Sequence, residues 1–370
     1  AGICRAMRIE AKPAPARTMT PSREAYALYL QGRALTLKAV GDGVIAKGIE
    51  LLEQALEIDP DFAECWTALA EAHLNICIFT PTLDRVERAV LMSTCARRAI
   101  DLDPAQGHAR AMLALHAFIN RRPCEALDLA FEAHRLAPDN IDVAVRLGSL
   151  LLYIGRAREA LPYIEAAIDR DPVQGRTYIA LCAAHLCLGD YDKAIAAGQR
   201  MEDLGIPSFW LAVAQMAGGD REAAFDTYYG QRIHLGTTVQ RPPGMPPMDD
   251  AARDAYFETA ARAVCSGDEA ARAGYCRMLD SLHGSMPDPY DPSIFFPAIW
   301  MGHAELVMAM YEGQLTLANM FGLMTLWVDA DPINRTWTHP DFLAFAERVG
   351  LVEAWNRYGW PDRLPKPEAV

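Results

Sequence analysis

The chain has 370 residues, of which 51% are hydrophobic and 22% are charged, a normal balance for a soluble globular protein. A formal net charge of −13 argues against a basic surface that binds nucleic acid. No apolar run reaches the roughly 18 residues needed to span a bilayer, so we expect no interaction with a membrane.

Residues 1–21 are rich in Pro and Ala and are predicted to form a flexible N-terminal linker. They lack the apolar central stretch of a signal peptide. Because the first residue is Ala, we expect the chain to be a piece of a longer protein. Nine scattered cysteines, an odd number, indicate reduced thiols in a cytoplasmic protein.

Between residues 22 and 230, predicted helices stop at regularly spaced prolines. Pro104, Pro138 and Pro172 are 34 residues apart, and Pro60 precedes Pro104 by 44 residues. A proline cannot continue the helix before it, and a 34-residue helix–turn–helix period is that of the tetratricopeptide repeat (TPR). The spacing predicts an array of about six helix pairs, at 24–60, 62–104, 107–138, 141–172, 175–206 and 208–230.

Small side chains recur at three positions of this period, where two helices of a pair would cross. They are Ala70, Ala114, Gly148 and Cys182 at the eighth position, Ala126, Ala160 and Ala194 at the twentieth, and Ala55, Ala99, Ala133 and Ala167 at the twenty-seventh. Close approach of two helix backbones requires small residues. The predicted fold class is therefore an all-α TPR superhelical solenoid.

Residues 231–250 contain four prolines and are predicted to form a linker. Residues 251–370 are predicted to form a C-terminal helical region that caps or extends the solenoid. Within it, residues 295–327 are dense in Met and aromatic side chains. Such a segment can be the core of a cap or an adaptable partner-binding surface, and we favour the cap because the ends of solenoids need one.

Three segments carry a family resemblance: SREAYALYLQGRALTLK (22–38), the long second helix of the second pair, and HPDFLAFAERVGLVEAWNRYGWPD (339–362). They resemble the TPR-bearing C-terminal half of bacterial multidomain regulators, in which the repeats follow a winged-helix or class III nucleotidyl cyclase domain. The resemblance implies a sensory or docking module that controls an attached output domain. The sequence contains neither a cyclase carboxylate pattern before the repeats nor a basic recognition helix.

No sequence motif predicts catalysis, a cofactor or a metal. GVIAKG (43–48) has glycines spaced as in a phosphate-binding loop, but Ile49 stands where Lys is required. CAAHLC (182–187) cannot direct all three of its Cys and His side chains to one metal from a regular helix. We therefore predict a protein that is not an enzyme.

In a TPR array the first helix of each pair lines the concave surface, and this mapping predicts a partner-binding groove. The candidate residues are Glu64, Thr67, Glu71, Asn75, His108, Phe118, Asp142, Ser149, Tyr153 and Arg176. Three of them are acids and one is Arg, which favours a basic or amphipathic helix as the bound peptide.

Three functional hypotheses follow from the sequence. The leading one is a non-enzymatic protein–protein interaction scaffold, the regulatory module of a longer bacterial signalling protein. The second is a sensor that holds a small molecule inside the superhelix. The third is a homo-oligomerisation module that self-associates through the Met-rich C-terminal region.

Overall fold

Six helix pairs follow one another from Arg23 to Gly230 in a computed structural model, which describes residues 19–36, 43–79, 84–206, 209–235, 249–286 and 288–366. The pairs are α1 (Arg23–Thr36) with α2 (Val44–Ile58), α3 (Ala63–Phe79) with α4 (Arg85–Leu102), α5 (Gly107–Ile119) with α6 (Pro123–Leu136), α7 (Ile141–Tyr153) with α8 (Ala157–Arg170), α9 (Thr177–Leu188) with α10 (Tyr191–Asp203), and α11 (Trp210–Ala217) with α12 (Arg221–Gly230). All regular structure within the described ranges is helical. The fold is an all-α solenoid, as the sequence predicts.

The first helices of successive pairs form the inner wall of the solenoid. Each of α1, α3, α5, α7 and α9 contacts the first helix of the next pair as well as its own partner. Helix α4, the longest within the described residues, has 18 residues and is the extended second helix expected in the second pair. Asn140 accepts a hydrogen bond from the Val143 backbone nitrogen at 3.0 Å and so caps the start of α7.

The small residues predicted to lie at helix crossings are all buried. Gly148 shows how tight a crossing is, because an added Cβ would lie 2.7 Å from Cγ1 of Ile164. Two glycines near the N-terminus also allow two helices to approach closely. An added Cβ at Gly32 would lie 2.8 Å from the Gly48 carbonyl oxygen, so Gly48 of the GVIAKG segment allows α1 and α2 to meet.

The C-terminal region extends the solenoid before it turns back. Helix α13 (Arg232–Leu235) is followed by α14 (Asp250–Cys265), which packs on α12 and pairs with α15 (Glu269–Ser285). Next come α16 (Pro292–Trp300), α17 (Ala304–Gly313), two 3-10 helices (Asn319–Thr325 and Ile333–Arg335), α18 (Phe342–Arg348) and α19 (Leu351–Tyr358). The predicted linkers lie largely outside the described residues, which omit 1–18 and 236–248.

The returning chain lies against the middle repeats. The first 3-10 helix contacts α7 and α9, and α19 contacts α6. The last carbonyl groups of a helix have no partner within it, and here two indoles supply one. Trp327 Nε1 donates to the Tyr153 carbonyl oxygen at 3.1 Å, and Trp355 Nε1 donates to that of Ile154 at 3.0 Å.

The Met- and aromatic-rich segment forms the core of this closing region. Its buried side chains are Phe295, Trp300, Met301, Met308, Met310, Tyr311, Met320, Met324 and Trp327. Phe296 and Phe321 are half-buried. The segment therefore offers little apolar surface to a second copy of the chain. None of the described helices combines the length and the apolar character that crossing a membrane requires.

We predict that Gly148→Ala lowers the free energy of unfolding, because its methyl group would overlap the buried Ile164 side chain. Overpacking of this kind costs about 1–3 kcal/mol, which outweighs the higher helix propensity of Ala. Urea unfolding measures the change. Gly284→Ala in α15 is the matched control, because no atom lies within 4 Å of the added methyl group, and it should be neutral or stabilising. Equal stabilisation by both substitutions would contradict the close crossing.

We also predict that Trp327→Phe destabilises the protein by about 1–3 kcal/mol, because the buried Tyr153 carbonyl group loses its donor. Trp360→Phe should cost less, since the Trp360 indole donates to the exposed side chain of Asn356 at 3.2 Å. The measurement is again the free energy of unfolding. Losses of equal size would show that the indole hydrogen bond does not hold the C-terminal region in place.

Candidate functional site

The returning C-terminal region covers one part of the concave surface. Phe118 and Tyr153, both predicted to contact a partner in the groove, are each 1% exposed, and their ring centroids lie 5.2 Å apart. Neither side chain reaches an open surface. Both residues lie on first helices of the repeats, and the chain's own C-terminal region contacts α7 beside Tyr153.

Three further predicted groove residues are engaged within the wall. Asn75 Nδ2 donates to the Thr36 carbonyl oxygen at 3.1 Å and so ties α3 to the end of α1. Thr67 and Ser149 donate their hydroxyl groups to carbonyl oxygens of the preceding turn, those of Ala63 and Val145. All three predicted residues are buried. Their hydrogen bonds assign them to the support of the wall.

The remaining predicted residues, apart from Glu64, gather in one place with a residue that was not predicted. We term Glu71, His108, Asp142, Arg146 and Arg176 the concave cluster. Glu71 Oε1 lies 3.6 Å from both His108 Nε2 and Arg146 Nη2, and Arg146 Nη1 lies 2.9 Å from His108 Nε2. Three successive first helices, α3, α5 and α7, and the residue before α9 contribute these side chains.

Glu64 stands apart from the concave cluster. It is half-buried in the first turn of α3, two helical turns before Glu71.

Burial and pairing determine the charges in the concave cluster. Burial lowers the pKa of His108, and Glu71 offsets part of that effect. Since Arg146 can only donate, His108 Nε2 accepts its hydrogen bond and the ring is neutral. Burial would raise the pKa of Asp142, but the guanidinium groups of Arg146 and Arg33 contribute to holding it below its usual value.

The donor set of Glu71, His108 and Asp142 could also suit a metal ion, since one ligand atom of each lies within 4.8 Å of the others. The position of Arg146 argues against this use. Its guanidinium group lies against His108 Nε2, the nitrogen that would bind the metal, and also faces Glu71. A cation there would be repelled by Arg146, so the geometry favours an ion-pair network.

The concave cluster changes the charge balance expected from the sequence. Arg176 was the one predicted cation, whereas the structure adds Arg146, and Arg33 lies close enough to affect the pKa of Asp142. Arg146 could have been assigned to this surface from the sequence. Residues four apart share a helix face, and Asp142 is four residues before it. Both acids face guanidinium groups, so the argument for a basic ligand loses its basis.

Cys182, His185 and Cys187 of α9 each contact a different neighbour. Cys182 Sγ lies 3.7 Å from the Trp210 carbonyl oxygen, and Cys187 Sγ lies 3.2 Å from that of Met324. His185 Nδ1 lies 3.6 Å from Asp190. Burial raises the pKa of Cys187 to about 12, so this thiol stays protonated at neutral pH. The three side chains therefore pack as parts of the core.

A comparison with protein families supports the repeat assignment. The tetratricopeptide repeat family profile matches residues 145–209, which span most of the fourth and fifth pairs. The fold is a TPR solenoid. No curated protein sequence matches the chain.

Several solved structures are similar to the chain at low sequence identity. A human IFIT1 dimer with m7Gppp-AAAA is 14% identical, with a TM-score of 0.50 over 95% of this chain and 76% of that one. Pseudomonas aeruginosa PilF is 18% identical, with a TM-score of 0.41 over 63% and 97%. YrrB, described as a TPR protein with an unusual peptide-binding site, is 18% identical, with a TM-score of 0.34 over 49% and 90%.

We predict energetic coupling between Glu71 and Arg146 in this TPR solenoid. Arg146→Met leaves the largely buried Glu71 carboxylate with less compensation, and Glu71→Gln leaves Arg146 beside His108 without this acid. The double variant removes both charges and should recover part of the loss. Urea unfolding of the four proteins at pH 7 should give a coupling free energy of about 0.5–3 kcal/mol. Additive losses would show that the pair does not interact.

Proposed function

We propose that this TPR solenoid is a non-enzymatic protein-interaction scaffold that binds a polypeptide segment on the open part of its concave surface. The observation that carries the proposal is the concave cluster, in which charged side chains from successive repeats converge on one surface. Burying charged side chains costs free energy, and a helical core does not require them. Their convergence on a concave surface is better explained by a bound partner.

The concave cluster favours a ligand of mixed charge. Arg146 and Arg176 can donate to carboxylates, and Glu71 and Asp142 can accept from Lys or Arg side chains. Val145 on α7 and Ile179 on α9 are half-buried and can pack against an apolar side chain of the ligand. Because packing and pairing already hold the charged groups, binding requires little loss of side-chain entropy.

We further propose that the chain is the regulatory module of a longer bacterial signalling protein that acts in the cytoplasm. The support is the resemblance of residues 22–38 and 339–362 to TPR halves of bacterial regulators. The reading frame upstream of Ala1 tests this part of the proposal. A winged-helix or cyclase domain there would support it, and a stop codon directly upstream would overturn it.

We predict that Arg176→Glu weakens peptide binding at least tenfold. The full chain is used to select peptides from a random-sequence library, and dissociation constants of the enriched peptides are then measured by fluorescence anisotropy. Tenfold corresponds to about 1.4 kcal/mol, a modest loss for reversing a charge within a binding site. Arg200→Glu on the exposed side of α10 is the matched control and should change binding less than twofold.

Two results would count against the proposal. One is a library that yields no enriched peptide, and the other is equal weakening by both charge reversals. A capped oligoadenylate of the kind named for the IFIT1 structure serves as the nucleic-acid comparison. The net charge of −13 predicts no binding of this oligonucleotide, and preference for it over every peptide would replace the proposed partner class.

A further inference from the structure

A cavity of about 190 Å³ lies between the repeats and the C-terminal region, away from the concave cluster. Helix α4 and the end of α5 form one side of it, and the segment 313–317 that follows α17 forms the other. Val86, Val90 and Leu315 supply apolar wall, and Arg85, Arg121 and His116 supply nitrogen atoms. Neither the sequence motifs nor the proposed peptide site accounts for this cavity.

The lining of this cavity is unusual in a chain of net charge −13. It includes two arginines, whereas none of the described residues that line it is Asp or Glu. Arg121 donates to the Glu312 backbone carbonyl oxygen, which carries no formal charge. The Glu312 carboxylate is paired with Arg348 at 2.6 Å. Within the described part of the chain, the charge of Arg121 is therefore not balanced by a carboxylate.

Arg85, the second arginine of the lining, is buried and already paired. Its side chain is 8% exposed, and its Nη1 binds Asp288 at 2.6 Å and Asp291 at 3.0 Å. Its Nε has no hydrogen-bond partner among the described residues. Asp288 and Asp291 compensate the charge of Arg85, and its Nε is buried, so Arg121 is the cation that remains for a ligand in this cavity.

The backbone at Arg121 supports a specific role for its side chain. Its φ of 58° lies in the left-handed region, which residues other than Gly and Asn seldom adopt. An Asn at this turn would be less strained, yet the chain carries a long cation here. The same turn ends α7 and α9, where Gly155 and Gly189 hold the left-handed position.

We propose that this cavity binds a small organic monocarboxylate with a short apolar body, of about the size of benzoate. The carboxylate would lie at Arg121, and the apolar body would lie against Val86, Val90 and Leu315. An apolar cavity of about 150 Å³ accommodates benzene, so 190 Å³ has room for a ring that carries one carboxylate. Because the cavity joins the repeats to the segment 313–317, the bound ligand stabilises that contact.

Isothermal titration calorimetry and thermal shift on the full chain test this proposal with three probes of similar shape. They are benzoate, neutral benzamide and cationic benzamidinium, all at constant ionic strength. Benzoate should bind saturably and raise the melting temperature, because it binds the folded state. Benzamide should bind at least fivefold more weakly, and benzamidinium should not bind measurably.

Two variants locate the binding. Arg121→Asn removes the guanidinium group with a residue suited to the left-handed conformation, and Val90→Glu places a carboxylate at an exposed position of the wall. Each should weaken benzoate binding at least fivefold. Val90→Gln is the matched neutral control and should change it less than twofold. Circular dichroism establishes that each variant is folded.

Three outcomes would overturn the proposal: no saturable benzoate binding, equal binding of benzoate and benzamide, or benzoate binding that neither variant weakens. The proposed peptide site is tested independently, because Arg176→Glu leaves every residue lining this cavity in place. Loss of peptide binding with benzoate binding intact, or the reverse, identifies which site has failed.

Discussion

The structure depends on how closely helix backbones approach at each crossing. A solenoid holds its curvature only if every repeat meets its neighbours at the same short distance, and interiors have little free volume to absorb a larger side chain. Ala, Gly and Cys occupy the crossings in the second to fifth pairs, and Gly32 and Gly48 do so in the first. With this spacing constant, the inner helices line up well enough for side chains of different repeats to meet. The concave cluster forms because α3, α5 and α7 bring side-chain atoms of Glu71, His108 and Asp142 within 4.8 Å of one another.

The C-terminal region then determines which part of the inner wall remains available. It lies against α7 and α9 beside Tyr153 and leaves the first two turns of α5 and α7, where His108, Asp142 and Arg146 lie. Hydrogen bonds from Trp327 and Trp355 hold it to the end of α7. The same helix carries Asp142 and Arg146 near its start. One helix therefore supports the closing region at one end and the proposed binding surface at the other.

The repeat architecture could be predicted from the sequence because its cause is local and periodic. Prolines end helices wherever they occur, and the small crossing residues return at fixed positions of a 34-residue period. The site was predicted less completely, because it depends on contacts between distant parts of the chain. No periodicity indicates that Trp327 reaches Tyr153, 174 residues away, so the burial of Phe118 and Tyr153 could not be foreseen. Arg146 was within reach of sequence reasoning, as its spacing from Asp142 places both on one helix face.

The return of the C-terminal region to the middle repeats has a consequence for how the molecule unfolds. Open repeat arrays behave as one-dimensional systems, in which terminal repeats fray while the centre stays folded. Here the last helix is joined to the third and fourth repeats by contacts that span more than 200 residues, such as the bond from Trp355 to Ile154. The C-terminal end cannot fray without exposing the centre of the array. Unfolding should therefore be more cooperative than in a linear array, and the distant contacts should slow folding relative to one.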